Sequence, residues 1–221
     1  MWLLLGVIGL LAGCAAMAAT DAPSTFKTAA GPPPGSPTFD AAVPAVGTKA
    51  VFRITDHQRR GTREETVTVV EAAYQGRAVI GLSDGTDMRV FDKGTGNWIA
   101  TLRGGKERFG ASPDDGTYSW PLWVGKSWLA SYTYHDRERG RSWNPVETSW
   151  KVAAYEDVTV PAGTFKALRL EASPGTNNAT QSTLWYAPET GIIVKRIFER
   201  TSDHYLGYGK FTTELVGYER P

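Results

Sequence analysis

Short runs of β-branched and aromatic residues, separated by glycine and proline clusters, make up the chain from Gly47 onward. No part of this region repeats its apolar residues with the 3.6-residue period of an amphipathic helix. Short runs bounded by turn residues are typical of strands. We therefore predict an all-β fold, either an antiparallel, strongly curved sheet or a half-open β-barrel. The predicted strands are residues 49–55, 65–71, 77–82, 88–92, 97–102, 126–135, 146–155, 157–160, 164–172, 183–187, 192–200 and 210–218.

One turn has a clear mechanism. In the segment Val160-Pro161-Ala162-Gly163-Thr164, proline fixes φ at the first turn position and glycine supplies a positive φ. The segment predicts a three-residue hairpin loop with a bulge.

Two halves of the β region are similar in sequence. Val46-Gly47 matches Val124-Gly125, and the segment 90–99 matches the segment 185–194 in the same order. The similarity indicates pseudo-repeats at about 47–120 and 121–218 within one β domain at 47–218, and it favours an internal duplication.

The N-terminus has the composition of an export leader. From Trp2 to Ala12 the residues are apolar or glycine, a stretch too short to span a bilayer comfortably. The sequence Leu11-Ala12-Gly13-Cys14 resembles the bacterial lipobox, which implies a signal peptide at 1–13 and a lipidated Cys14. The alternative is an ordinary secretory leader cut after Ala18.

A proline-, alanine- and glycine-rich tether is predicted at 14–46, between Cys14 and the β domain. The resemblance to lipoproteins places the protein in the bacterial cell envelope. In a Gram-negative organism, Ala15 after the lipidated cysteine implies the outer membrane, with the domain facing the periplasm. The expected partner is the membrane, through the lipid anchor.

Composition excludes several classes of protein. Lys and Arg number 24 and Asp and Glu 23, so no nucleic-acid partner is expected. A single cysteine permits no intramolecular disulfide and no cysteine-based zinc cluster. No nucleophile elbow, zinc-protease motif, phosphate loop or dinucleotide fingerprint is present, so we predict neither an enzyme nor a cofactor.

Histidines and acidic residues offer one weak alternative. His57, His135 and His204 each adjoin an aspartate, which would suit a metal or acid–base site. Adjacent strand residues point to opposite faces, however, so we favour solvated loop residues and predict no metal site. Asp114-Asp115 is likewise predicted to be a pair of solvated loop charges.

Aromatic residues give the remaining functional signal. Trp128, Tyr132 and Tyr134 share a strand face, and Trp150 and Trp185 lie on the faces of two other strands. If these faces converge, the five residues line a cavity for an acyl chain or a sugar ring. The alternative is that they fill the core. Trp143, next to Asn144-Pro145, is predicted to be a loop residue.

The segment from Pro121 to Tyr218 carries two recurring marker sequences, at 156–165 and at 185–196. In these markers the chain resembles a family of uncharacterised bacterial envelope lipoproteins, a domain of unknown function. The resemblance implies a half-open barrel similar to that of the LolA and LolB lipoprotein carriers, and it implies no particular chemistry.

Together these observations predict a lipid-anchored periplasmic lipoprotein that binds an apolar or amphipathic ligand in a β half-barrel. One alternative is a structural or assembly lipoprotein that acts on envelope proteins through its surface. A weaker alternative is a hydrolase with an atypical His/Asp site.

Overall fold

The computed structural model describes residues 31–221. The predicted signal peptide, Cys14 and the alternative cleavage site after Ala18 lie outside the described residues. The described part forms twelve strands and no helix. The strands are β1 (Lys49–Asp56), β2 (Gly61–Tyr74), β3 (Arg77–Ser83), β4 (Asp87–Asp92), β5 (Trp98–Arg103), β6 (Lys106–Ser112), β7 (Ser127–Asp136), β8 (Arg141–Val160), β9 (Gly163–Pro174), β10 (Thr180–Ala187), β11 (Ile192–Arg200) and β12 (Gly209–Glu219).

The strands form a closed antiparallel barrel in which each strand pairs with its neighbours in sequence, and β1 pairs with β12. The predicted all-β, antiparallel and barrel-like class is confirmed. The barrel is fully closed, because every residue of β1 from Lys49 to Asp56 has a partner on β12. Closure gives each of the twelve strands a partner strand on both sides.

Two ends of the barrel differ in what covers them. One end carries the long loop 113–126 between β6 and β7, together with the turn at 93–97 and the turn at 188–191. We call it the plugged end. The opposite end carries the loops 137–140, 175–179 and 201–208, among others.

Residues 39–46 form the plug. The amide of Phe39 donates to the carbonyl of Leu122 at 2.9 Å, and the Leu122 amide donates back at 2.8 Å. The Tyr186 hydroxyl donates to the carbonyl of Ala42 at 2.6 Å. The folded unit therefore begins before the predicted boundary at Gly47, because loop and barrel groups satisfy the backbone of this segment.

Strand β8 differs from the prediction. The sequence Asn144-Pro145 predicts a loop before the strand that begins at residue 146. Both residues instead lie within β8, at a register shift opposite Tyr132 and Tyr134. A β-bulge leaves residues unpaired, which lets a strand contain a proline that has no N–H to donate. The prediction that Trp143 is a loop residue is therefore wrong, since Trp143 is a strand residue paired with Tyr134.

Two halves of the barrel share local geometry. The amide of Gly47 donates to the carbonyl of Val69 at 2.8 Å. At the matching place, the amide of Gly125 donates to the carbonyl of Val152 at 2.8 Å. The turns after β4 and β10 have matching hydrogen bonds, and a register shift precedes each turn. Duplication remains a hypothesis that these similarities agree with.

The core is densest in the second half of the barrel. Trp128 and Trp150 are 3% and 6% exposed, and their rings stack with centroids 6.2 Å apart. They pack with Leu122, Leu168 and other buried residues. This cluster packs on the side of the barrel formed by β7 to β10.

Candidate functional site

The barrel encloses a cavity of about 660 Å³. Ten of the twelve strands contribute residues to its wall, all except β6 and β9. Because these ten strands run around a closed ring, the cavity is the lumen of the barrel. The lumen has a volume typical of small-molecule sites, which measure about 300–1,000 Å³.

Aromatic and aliphatic side chains form most of the wall. The aromatic residues of the wall are Phe52, Phe91, Trp98, Tyr118, Trp120, Tyr132, Tyr134, Trp143, Tyr186, Phe198 and Tyr205. Such a wall suits an apolar ligand body, because removing apolar surface from water stabilises the bound state.

The plug lies across one end of this lumen. Val43 adjoins Gly96 in the β4–β5 turn and Gly191 in the β10–β11 turn. These two hairpins lie six strands apart in a ring of twelve, on opposite sides of the barrel. A residue that adjoins both turns must lie over the lumen. Tyr118 and Trp120 stack beside it, with ring centroids 5.1 Å apart.

Arg196 is the lining cation at mid-length of β11. It lies between Leu184 of β10 and Thr213 of β12 in the register. Its Nε donates to the Ser182 hydroxyl at 3.0 Å, and its guanidinium lies 5.0 Å from the Phe198 ring centroid. Arg196 lies inside the barrel. Its side chain is still accessible to solvent, because it borders the open space of the lumen. Burial lowers the pKa of the guanidinium, which stays protonated at physiological pH.

Two other charged residues of the lining, Arg89 and Glu65, neutralise each other. The guanidinium of Arg89 on β4 forms a close ion pair with Glu65 on β2. Because the two charges cancel, this pair adds polarity to the wall without adding net charge.

Asp115 enters the lumen from loop 113–126. Its carboxylate accepts hydrogen bonds from the Trp98 amide at 3.0 Å and from the Thr117 hydroxyl at 2.7 Å. Burial raises the pKa of Asp115 to about 6, and the neighbouring charge of Asp114 adds to the rise. The prediction that Asp115 is a solvated loop charge is therefore wrong, since the loop folds inward.

Polar and aromatic groups surround the lumen at the opposite end. Trp143 stacks on Tyr205 with ring centroids 4.9 Å apart, and Tyr205 stacks on His204 at 4.6 Å. The Tyr205 hydroxyl donates to buried Asp136 at 3.0 Å. This contact fixes loop 201–208 against the end of β7.

The structure separates the five residues predicted to line a cavity. Tyr132 and Tyr134 belong to the wall of the lumen. Trp128 and Trp150 pack in the core instead. The Trp185 indole lies away from the wall and donates to the Glu156 carboxylate at 2.9 Å. A role of any of them in ligand binding stays a prediction.

The histidines have separate partners. The ring of His57 is hydrogen-bonded to the Thr212 hydroxyl at 2.8 Å, and the ring of His135 is hydrogen-bonded to the Ser142 hydroxyl at 2.9 Å. Within residues 31–221, no group of three or more His, Cys, Asp or Glu side chains is placed to hold a metal ion. In the same part of the chain, no helix has the length and apolar character to cross a membrane.

No protein-family model matches this chain, and no curated protein matches it. It is similar to the crystal structure of a presumed lipoprotein from Parabacteroides distasonis ATCC 8503, with 15% sequence identity and a TM-score of 0.41, over 82% of this chain and 99% of that chain. It is also similar to a presumed exported protein with YmcC-like fold from Bacteroides fragilis NCTC 9343, with 12% identity and a TM-score of 0.40, over 83% of this chain and 99% of that chain. At these values neither likeness bears on function.

Proposed function

We propose that this protein is a lipid-anchored lipoprotein of the bacterial cell envelope whose barrel binds an apolar or amphipathic ligand in its lumen. The observation that carries the proposal is the cavity of about 660 Å³, enclosed by strands and walled mainly by aromatic and aliphatic side chains. A wall of this kind holds the apolar body of a ligand, and its few polar groups orient the ligand.

The anchor in this proposal is Cys14, and the address is the periplasmic face of the outer membrane if the organism is Gram-negative. Residues 15–38 would link the lipid to the plug. Mass spectrometry of protein extracted from membranes is the test. An acylated chain that begins at Cys14 supports the anchor, and an unmodified chain that begins at Ala19 contradicts it.

A fluorescent apolar dye tests the lumen directly. N-phenyl-1-naphthylamine is uncharged and brightens in apolar surroundings, so its titration into the protein reports an accessible apolar cavity. We expect a saturable signal. Absence of saturable binding by this dye and by uncharged single-chain lipids would overturn the proposal.

Two neighbouring threonines of β12 supply matched variants. Thr213 lines the lumen, whereas Thr212 is on the opposite face of the strand. Thr213→Trp fills part of the lumen and should abolish the dye signal. Thr212→Trp adds the same indole outside and should leave the signal intact. Equal loss in the two variants would place the dye outside the lumen.

One observation favours the surface-acting alternative. Leu206 and Tyr208, both in loop 201–208, are 44% and 42% exposed. Exposed apolar side chains at one end of a barrel suit contact with an envelope protein. A protein without saturable dye binding would favour this function.

A further inference from the structure

Of the two arginines that line the lumen in the described part of the chain, Arg196 is the one without an ion-pair partner. Arg89 is paired with Glu65. Asp115 is hydrogen-bonded to groups near its own loop, and it forms no salt bridge with Arg196. The guanidinium therefore presents to the cavity a positive charge that is not held in a direct ion pair.

Most donors of Arg196 are available. A guanidinium has five N–H donors in a planar fork. One of them, on Nε, is used on the Ser182 hydroxyl, and no other hydrogen bond of Arg196 occurs within residues 31–221. The Nη groups are therefore left to cavity water or to a ligand. Two parallel N–H donors of this kind match the oxygens of a carboxylate or a phosphate.

Apolar side chains adjoin Arg196 within the lumen. Leu184 precedes it around the barrel, Phe198 lies beside its guanidinium, and aromatic side chains form most of the remaining wall. A charge inside a protein cavity gains more from an opposite charge than it would in bulk water. The same apolar wall would hold a hydrocarbon chain that leads away from the bound head group.

The volume of the lumen suits a ligand with a single chain. A methylene group occupies about as much space as a water molecule, and at about 30 Å³ each the 660 Å³ holds roughly twenty such groups. One chain of about a dozen carbons with a compact head group fits in this volume.

We propose that the lumen binds a single-chain amphiphile with an oxyanion head group, and that Arg196 is the residue that binds the head group. The inference rests on the proposed function, since it assigns the ligand class of the same cavity. The oxyanion could come from a free fatty acid or from the phosphate of a single-chain lipid, because a carboxylate and a phosphate present the same acceptors to the guanidinium.

Competition against N-phenyl-1-naphthylamine tests the proposal with ligands that differ only in the head group. Dodecanoate, dodecyl phosphate and dodecanol share one chain length, and dodecanol lacks the charge. We expect at least one of the two anions to bind the native protein roughly tenfold to a hundredfold more tightly than dodecanol does, as for a charge-assisted hydrogen bond. Stronger binding of the phosphate would assign a lipid phosphate, and stronger binding of dodecanoate would assign a fatty acid.

Three variants locate the head group. Arg196→Met keeps the length of the side chain and should remove the preference for anions while dye binding persists. Arg196→Lys keeps the charge without the fork and should retain part of the preference. Lys195→Met removes a cation from the opposite face of the same strand, where Lys195 pairs with Glu214 at 2.9 Å, and should change nothing.

The outcomes separate this inference from the proposed function. Equal binding of anions and dodecanol by the native protein, with saturable dye binding, overturns the anion proposal and leaves the lumen as a neutral apolar site. An anion preference that survives in Arg196→Met also overturns it. Failure of the dye itself to bind overturns the proposed function.

Discussion

Gly191 and Val43 approach so closely that no side chain fits between them: a Cβ atom on Gly191 would lie 2.9 Å from the carbonyl carbon of Val43. The same Cβ would lie 3.0 Å from the carbonyl oxygen of Ala42 and from the nitrogen of Pro44. Gly191 also has a φ of +70°. The turn between β10 and β11 thus needs glycine at position 191 for two reasons. Glycine adopts the positive φ, and it lets the backbone of the plug pack against the turn.

We predict that Gly191→Ala destabilises the protein more than Gly163→Ala does. Both glycines have positive φ, at +70° and +132°, which costs about 1–3 kcal/mol for another residue. A Cβ on Gly163 meets no atom within 4 Å, whereas a Cβ on Gly191 displaces the plug backbone. The free energy of unfolding in urea should differ between the variants by at least about 1 kcal/mol. Equal losses would mean that the plug does not rest on this turn in solution.

The hairpin between β8 and β9 gives a second prediction. Gly163→Val should cost roughly 1–3 kcal/mol, because a β-branched residue is strained at positive φ. Thr164→Val should cost about 1 kcal/mol or less, since Thr164 is an exposed strand residue that loses one hydroxyl contact, with Thr159 at 3.0 Å. Melting temperatures of the two variants provide the measurement, and identical values would contradict the role given to the turn.

Most strands could be predicted from local composition, because β-branched runs between turn residues need no knowledge of the fold. Strand β6 is absent from the prediction, since its Lys106-Glu107-Arg108 start has too many charges to look like a strand. Two predicted strands, 146–155 and 157–160, are one strand, β8. This strand also extends back through Pro145 to Arg141, and that extension could not be predicted because the bulge that accommodates Pro145 depends on the partner strand. Closure by β1 and β12 could not be predicted, since it joins segments from opposite ends of the chain.

The site was only partly predictable. Tyr132 and Tyr134 can be identified by their alternation along a strand. Arg196 is absent from the predicted site, although it shares its strand face with Phe198, and a charged residue in an apolar register was the available signal. Asp115 gave no such signal, because whether a loop folds into a lumen or into solvent depends on contacts made after the barrel closes.

We predict that ionisation of Asp115 lowers the free energy of unfolding as the pH rises. Its pKa is raised from 3.8 to about 6. Between these values the native state holds a proton that the unfolded chain has released, so the free energy of unfolding falls as the pH rises through this range. From pH 4 to pH 7.5 the native protein should lose roughly 2 kcal/mol relative to Asp115→Asn. This figure takes about 1.4 kcal/mol for each pH unit that separates the folded and unfolded pKa values, reduced for screening by cavity water.

Urea unfolding of both proteins at the two pH values measures this difference. Carboxyls with lowered pKa, such as Asp87 and Asp136, contribute with the opposite sign, but they are present in both proteins and cancel. Parallel pH profiles for the native protein and Asp115→Asn would show that the Asp115 carboxyl is solvated and titrates normally.

The charges that face Arg196 make anion binding depend on pH. Asp115 and Arg89 act on Arg196 through the lumen, and Glu65 neutralises Arg89. Tyr118 and Tyr132 also act on it, but burial raises the pKa of both, so they stay neutral below pH 8. Asp115 is therefore the group near Arg196 that changes charge between pH 5.5 and pH 7.5.

Binding of dodecanesulfonate, whose charge is constant over this range, should be roughly threefold to tenfold tighter at pH 5.5 than at pH 7.5, because protonation of Asp115 removes a negative charge that competes for Arg196. In Asp115→Asn the affinity should be high at both pH values. His204 also lines the lumen and has its pKa lowered by burial, so any small rise that remains should disappear in Asp115→Asn combined with His204→Gln. Competition against N-phenyl-1-naphthylamine provides the measurement, with dodecanol as the uncharged reference that should show no change. An unaltered pH dependence in Asp115→Asn would assign the titrating group elsewhere, and tighter binding at pH 7.5 would contradict the placement of the anion beside Asp115.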